Sequence, residues 1–189
     1  MGFDPVIEWV IKPYMAAKRT RSIDFCKGLN RSLLPRIAGG PEAINKYIGE
    51  NFPYHSDPWG GLYDVYVDPR CLHWAKENNC LPWYPNDCDD YACMAYQLLI
   101  ESGHDSTKVH LNNLLISNIW DIPKNHVICT FEHNDQIGVI DTCTASWGMV
   151  KWFENNTYAP ASIKEFYGHR DVYNVQYAYL YEDQYPFNK

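Results

Sequence analysis

The stretch that most constrains the fold is NHVICTFEHNDQIGVIDTCT, residues 125–144, in which two apolar segments flank a short polar turn. Both segments are rich in β-branched and aromatic residues, which are favoured in strands. Two such segments joined by a few polar residues are typical of a β-hairpin. The stretch therefore predicts two antiparallel strands, at roughly 126–131 and 137–143.

Further strands and helices are predicted on either side of this hairpin. Strands are expected over 107–117 and within 171–181, where the sequence DVYNVQYAYLY alternates strictly. Helices are expected earlier in the chain, over 41–50, around 69–78 and, most clearly, over 88–102. Because the helices come first and the strands follow, the sequence predicts an α+β fold with a mainly antiparallel sheet.

The length of 189 residues suits one compact unit, divided here into an N-terminal helical extension, 1–40, and a main domain, 41–189. An apolar stripe predicts a helix over 4–29, which Pro13 would kink or split. Residues 51–86 form an irregular, aromatic-rich stretch. Ordered loops of this length inside a domain are usually functional.

The charge of the chain excludes some classes of partner. A net charge of −7 and a pI near 5.4 disfavour nucleic acid and anionic membranes as partners.

No apolar run reaches the length of a membrane span, and Asp4, Glu8 and Lys12 interrupt any signal-peptide pattern. We expect a cytoplasmic protein whose oligomeric state the sequence does not define.

Seven cysteines without a regular framework predict reduced thiols rather than disulfides. The segment CLHWAKENNC, from Cys71 to Cys80 with His73 between them, raises the alternative of a zinc site. Its spacing matches no standard zinc finger, and no second Cys-x-x-Cys motif accompanies it. No metal and no cofactor are therefore expected.

Cys88 begins the clearest helix, in the acidic sequence NDCDDYACM. Asn86 or Asp87 can cap this helix, and helical spacing puts Cys88 on the same apolar face as Ala92, Ala95 and Leu99. That face is expected to pack on the sheet, with the sulfur directed towards the strands. The helix N-terminus favours a thiolate, whereas the neighbouring acids oppose it, so a cationic partner is needed.

His126 is the candidate partner, and the hairpin register decides whether Asp141 can support it. If His133 and Asn134 form the turn, Asp141 lies directly opposite His126. If Asn134 and Asp135 form the turn, the two residues are diagonal neighbours on the same sheet face. A slip of one residue would put them on opposite faces. The first two registers allow an imidazole–carboxylate hydrogen bond beside a thiol, as thiol acyl transfer requires.

Three motifs in the order Cys, His, Asp resemble those of the transglutaminase-like cysteine peptidase superfamily. They are NDCDDYACM, NHVICTF and IGVIDTCT, preceded by the lead-in IGENFPYHSDPWGGLYD. The resemblance covers about residues 42–145. It departs from the superfamily pattern at Asn86, where a Gly is frequent, and at Cys93, an additional thiol.

The resemblance implies a papain/transglutaminase-like core and catalysis through a thioester intermediate in the domain 41–189. Cys88 would attack a carbonyl of a protein or peptide substrate, His126 would carry the proton, and Asp141 would orient the imidazole. The oxyanion would bind the backbone N–H of Cys88 and an upstream donor, for which Trp83 is favoured over Trp59 and Tyr54. Hydrolysis by a peptidase or deamidase is favoured over transglutaminase-type cross-linking. The alternative from another class is a catalytically silent protein-binding module.

Overall fold

The structure, a computed structural model, describes residues 23–24, 28–55, 65–84, 86–116, 124–141, 150–153 and 175–180. Within these residues the helices are α1 (Gly40–Asn51), α2 (Pro69–Glu77) and α3 (Cys88–Glu101). The strands are β1 (Ile23–Asp24), β2 (Val65–Tyr66), β3 (Val109–Ile116), β4 (Lys124–His133), β5 (Gln136–Ile140), β6 (Lys151–Phe153) and β7 (Val175–Leu180).

The main sheet is antiparallel, with the strand order β6-β5-β4-β3-β7. The predicted α+β fold class is therefore confirmed, and each predicted helix and strand outside 4–29 corresponds to an observed element. No helix in the described ranges combines the length and the apolar character that crossing a bilayer requires.

Helix α3 packs on the two central strands, β4 and β3. Its predicted apolar face is confirmed, since Ala92, Ala95 and Leu99 are buried. On the sheet side the core contains Val127 and Cys129, which share one face of β4. Because alanine side chains are short, the first turns of α3 can approach the sheet closely.

The β4–β5 hairpin has Asn134 and Asp135 as its two-residue turn, with φ angles of 50° and 59°. Positive φ at both positions is the signature of a type I′ turn, which Asn and Asp tolerate. His133 then pairs with Gln136, and Cys129 pairs with Ile140. The structure thus has the second of the two predicted registers.

Gly138 lies directly opposite Phe131 in this hairpin, and the phenyl ring covers the glycine. A Cβ at position 138 would come 2.1 Å from Cζ of Phe131. The ring is also held edge-on against Trp152, at a centroid distance of 5.2 Å. Since Phe131 cannot move away freely, only glycine fits at position 138.

We expect Gly138→Ala to lower the free energy of unfolding by about 1–3 kcal/mol, the usual cost of overpacking a core. Urea unfolding monitored by circular dichroism measures it. The same change in a Phe131→Leu background should cost less, because the two positions are in contact. Equal costs in both backgrounds would show that the ring does not limit the space at position 138.

The N-terminal part differs from its prediction. A helix over 4–29 is wrong at Ile23–Asp24, which form β1 and pair in parallel with Val65–Tyr66 of β2. The rest of that segment, apart from residues 28–29, lies outside the described residues. Residues 28–39 are not helical. The N–H of Ser32 donates to the carbonyl of Arg70, and the N–H of Ile37 donates to Oγ of Ser102. A contact pattern between residues so far apart has no local sequence signal.

Candidate active site

The hairpin brings His126 and Asp141 together. His126 lies near the start of β4, and Asp141 is the first residue after β5. The distance from His126 Nε2 to Asp141 Oδ2 is 3.0 Å, and the two residues are only 8% and 6% exposed. The predicted pairing of the two residues on one face is present in the structure as a buried imidazole–carboxylate contact.

The electrostatic environment of His126 favours the imidazolium. Burial lowers the pKa of His126. The charge and hydrogen bond of Asp141 and the charge of Asp87 together raise it by more, so the pKa lies above its usual value of 6.5. Asp87 is the residue immediately before Cys88. The start of α3 therefore belongs to the electrostatic surroundings of the imidazole.

Cys88 is the first residue of α3 and is half-buried. Asp87 is its N-cap, and the side chain accepts hydrogen bonds from the backbone N–H groups of Asp89 and Asp90. Asp90 completes a capping box by accepting from the N–H of Asp87. Of the two predicted caps, Asp87 is the one the chain uses. The cap fixes the backbone on both sides of the cysteine.

The sulfur of Cys88 lies in an acidic setting. Its Sγ and one carboxylate oxygen each of Asp87 and Asp89 lie within 4.8 Å of one another. Negative charge at this distance disfavours a thiolate, so a positive group must offset it if Cys88 is to ionise. Among the described residues, His126 is a candidate for this positive group. Its pKa is raised, and the charge of Asp87 is one of the causes.

In the described part of the chain, Asp87, Cys88 and Asp89 have potential metal-ligating atoms close enough together to share one ion. Cys71, His73 and Cys80 do not form such a group. The three atoms are two hard carboxylate oxygens and one soft sulfur, which prefer different classes of ion. The carboxylate of Asp87 also already accepts N–H groups of α3. This donor set does not indicate a particular metal.

Two buried polar contacts hold the first turn of α3 against the preceding segments, and sequence reasoning missed both. On one side, Asp90 Oδ1 accepts from the N–H of Val67 at 2.8 Å. On the other, the hydroxyl of Tyr91 donates to the carbonyl of Phe52 at 2.6 Å. The D-x-x-D pattern of a capping box was a usable signal for Asp90, whereas no local pattern marks the Tyr91 contact.

A backbone bridge between His55 and Asn86 reinforces the contact of Tyr91 with Phe52. Asn86 and His55 exchange hydrogen bonds of 2.9 and 3.0 Å between their N–H and carbonyl groups. The side chain of Asn86 is buried and donates to the carbonyl of Pro53. The segment 52–55 is therefore fixed beside the helix start. Asn86 fastens this segment together with Tyr91.

Of the three candidate oxyanion donors, Tyr54 has a side chain that the structure describes. Trp83 ends a 3-10 turn at Leu81–Trp83, but its side chain lies outside the described residues. Trp59 lies outside them altogether. Tyr54 is 51% exposed, and its ring centroid is 6.1 Å from that of Tyr91. Tyr54 is therefore a half-exposed aromatic residue close to the start of α3.

None of the described cysteines is in a disulfide. Cys71, Cys93 and Cys129 are buried, whereas Cys80 and Cys88 are half-buried. Burial raises the pKa of the Cys129 thiol far above its usual range, which keeps this thiol protonated. Cys26 and Cys143 lie outside the described residues. Accessibility alone therefore does not distinguish Cys88 from Cys80.

Comparisons with known proteins found similarity at the level of structure. No family profile matches the chain, and no curated protein sequence is similar to it. Similar solved structures are those of Legionella pneumophila LapG, one calcium-bound, one with no further designation and one EGTA-treated, with 16% identity and TM-scores of 0.45, 0.44 and 0.42 respectively. The alignments cover 74–75% of this chain and 61–64% of LapG. The chain thus spans less than two thirds of the LapG structures to which it is similar.

Proposed function

We propose that the chain is a thiol-dependent acyl-transfer enzyme of the transglutaminase-like kind, a cysteine peptidase or amidase, acting on an amide bond of a protein or peptide. The observation that carries this proposal is the buried 3.0 Å contact between His126 and Asp141, with Asp87 at the start of α3 among the charges that act on the imidazole. A nucleophile, a base and an orienting acid are the groups this chemistry needs.

In the proposed reaction, the Cys88 thiolate attacks the amide carbonyl and a tetrahedral intermediate forms. The C–N bond then breaks, the His126 imidazolium gives its proton to the leaving amine, and a thioester remains on Cys88. His126 next takes a proton from water as the water oxygen attacks the thioester. The C–S bond then breaks, the carboxylic acid leaves, and the Cys88 thiolate and His126 imidazolium are restored. Asp141 favours the imidazolium and fixes the ring orientation throughout.

The oxyanion of each intermediate needs hydrogen-bond donors. We assign the backbone N–H of Cys88 as one donor and keep Trp83 as the proposed second. Tyr54 is the alternative supported by its place in the segment 52–55, which Asn86 and Tyr91 fasten to the helix start. A Tyr54→Phe variant with unchanged turnover would favour Trp83.

Hydrolysis is preferred to cross-linking because no amine-acceptor site is identified. A silent binding module is the second candidate, and the buried His126–Asp141 contact disfavours it, since a binding module has no need of this pair. Proposed partners are protein or peptide substrates, not nucleic acid or membrane. We propose a reducing compartment such as the cytoplasm, because the seven cysteines of the sequence show no regular disulfide framework.

The proposal is tested by alkylation with iodoacetamide at pH 6, because thiolates and not thiols react. Peptide mass spectrometry gives the rate at each cysteine. Cys88 is expected to react at least about tenfold faster than Cys80, a half-buried thiol of the same chain that serves as the internal control. Equal rates at the two cysteines would contradict an activated nucleophile.

A further inference from the structure

We propose that Asp90 is the positioning residue of the nucleophile, holding the backbone around Cys88 by accepting hydrogen bonds from two segments of the chain at once. The inference rests on the proposed function. It assigns Asp90 no contact with substrate: the residue acts through the backbone of Asp87, the residue before the cysteine.

Both oxygens of this carboxylate are engaged. Oδ1 accepts from the N–H of Val67 at 2.8 Å, and Oδ2 accepts from the N–H of Asp87 at 3.2 Å. Asp90 is 0% exposed. A carboxylate is costly to bury unless hydrogen bonds satisfy it, so these contacts restrict where the side chain can lie.

The two donors belong to different parts of the structure. Asp87 is joined directly to Cys88, and its N–H belongs to the peptide unit between Asn86 and Asp87, so the hydrogen bond to Asp90 restrains the backbone one unit before the nucleophile. Val67 is buried and precedes Asp68, the N-cap of α2. Asp90 thus ties the start of α3 to the start of α2. A capping box alone would stabilise α3, but the bond to Val67 fixes where that helix begins relative to its neighbour.

Asp68 provides a matched control. It is also a buried carboxylate that caps a helix, accepting from the N–H of Arg70 at 2.9 Å, and it pairs with the side chains of Arg70 and Arg31. Asp68→Asn and Asp90→Asn therefore both remove one buried charge and weaken one helix cap. They differ in that the contacts of Asp90 adjoin Cys88, whereas those of Asp68 lie at the start of α2 and include the side chains of Arg31 and Arg70.

The sign of the effect separates positioning from simple electrostatics. Asp90→Asn removes a negative charge from the first turn of α3, two residues after Cys88, and this change alone favours the thiolate and speeds alkylation at pH 6. Asparagine also presents an amide NH₂ to one of the two N–H donors, which breaks that contact. If position dominates, the cysteine moves relative to His126, and alkylation slows.

The experiment measures iodoacetamide rates at Cys88 in the wild type, Asp90→Asn and Asp68→Asn, together with their thermal stabilities. We expect Asp90→Asn to slow Cys88 about fivefold, while Asp68→Asn lowers the stability and leaves the Cys88 rate within about twofold of wild type. An unchanged or faster Cys88 in Asp90→Asn would overturn the proposal, and so would equal slowing in both variants.

Asp90→Glu keeps the charge and the acceptor oxygens but lengthens the side chain, and it serves if Asp90→Asn does not fold. Slowing of Cys88 in a folded Asp90→Glu protein supports positioning, and a wild-type rate contradicts it. The wild-type measurement separates this inference from the proposed function. A wild-type Cys88 no faster than Cys80 defeats the function itself, whereas a fast wild-type Cys88 that Asp90→Asn leaves unchanged defeats only the role of Asp90.

Discussion

His126→Ala is expected to slow alkylation of Cys88 at pH 6 about thirtyfold. An ordinary thiol with a pKa near 8.5 is only about 0.3% ionised at this pH. The greater nucleophilicity of a more basic thiolate offsets part of that loss. Because the carboxylates of Asp87 and Asp89 lie close to the sulfur and disfavour its thiolate, the helix N-terminus alone is not expected to replace the imidazolium once it is removed. Iodoacetamide rates from pH 5 to 9 in both proteins provide the measurement.

His133→Ala is the control for this variant. His133 lies on the same strand, β4, but is exposed at the turn end of the hairpin. It should leave the rate at Cys88 unchanged. If His126→Ala and His133→Ala give the same rate and pH profile at Cys88, the imidazole of His126 does not activate the thiol, and the enzyme proposal loses its base.

Asp141→Asn is expected to move the pKa of His126 from above 6.5 to below it. Burial lowers the pKa of this imidazole, and the Asp141 charge and hydrogen bond are the largest of the effects that raise it. Without that carboxylate, burial should dominate even though the charge of Asp87 remains. The ring C–H chemical shifts of His126, followed by NMR between pH 4 and 9 in a Cys88→Ala background, give the pKa without interference from the thiol.

The matched control is the Cys88→Ala protein with Asp141 intact. A His126 pKa that stays above 6.5 in the Asp141→Asn protein would show that other groups hold the proton. A pKa already below 6.5 in the control would show that the imidazole is neutral at rest. Either result would require a different route to the thiolate.

The same pair makes the stability depend on pH with a defined sign. Because the folded-state pKa of His126 is raised, its stabilising contribution is complete below 6.5 and is lost as the pH rises through the folded-state value. His73 and His104 act oppositely, since burial lowers their pKa values and their contribution is lost as the pH falls. The difference in melting temperature between the Cys88→Ala proteins with and without Asp141→Asn should therefore shrink at high pH.

The sequence predicted the His126–Asp141 contact because strand alternation determines the face, and two candidate turns preserved it. Turn chemistry favours the observed register, since Asn134 and Asp135 both tolerate the positive φ angles that a type I′ turn requires. The helix start at Cys88 was equally readable, because capping residues and apolar spacing are local signals.

What the sequence did not predict depends on contacts between distant residues. Strand β1 has two residues and pairs in parallel with β2, some forty positions later, so no local periodicity marks it. The bond from Asp90 to Val67 spans 23 residues across an irregular segment. The choice among Trp83, Trp59 and Tyr54 likewise depends on how that segment folds back on α3, which neither composition nor spacing encodes.

The hairpin also bears on when reactivity arises during folding. His126 and Asp141 are 15 residues apart in one hairpin, a unit that forms within about 1–10 μs in isolation. Cys88 begins a separate helix that is synthesised earlier, and the proposed triad requires α3 to dock on the sheet. A nascent or partly unfolded chain thus holds the His126–Asp141 pair apart from the Cys88 thiol. On the proposed mechanism, nucleophilicity would arise only with tertiary structure, and incomplete chains would not expose an activated thiolate.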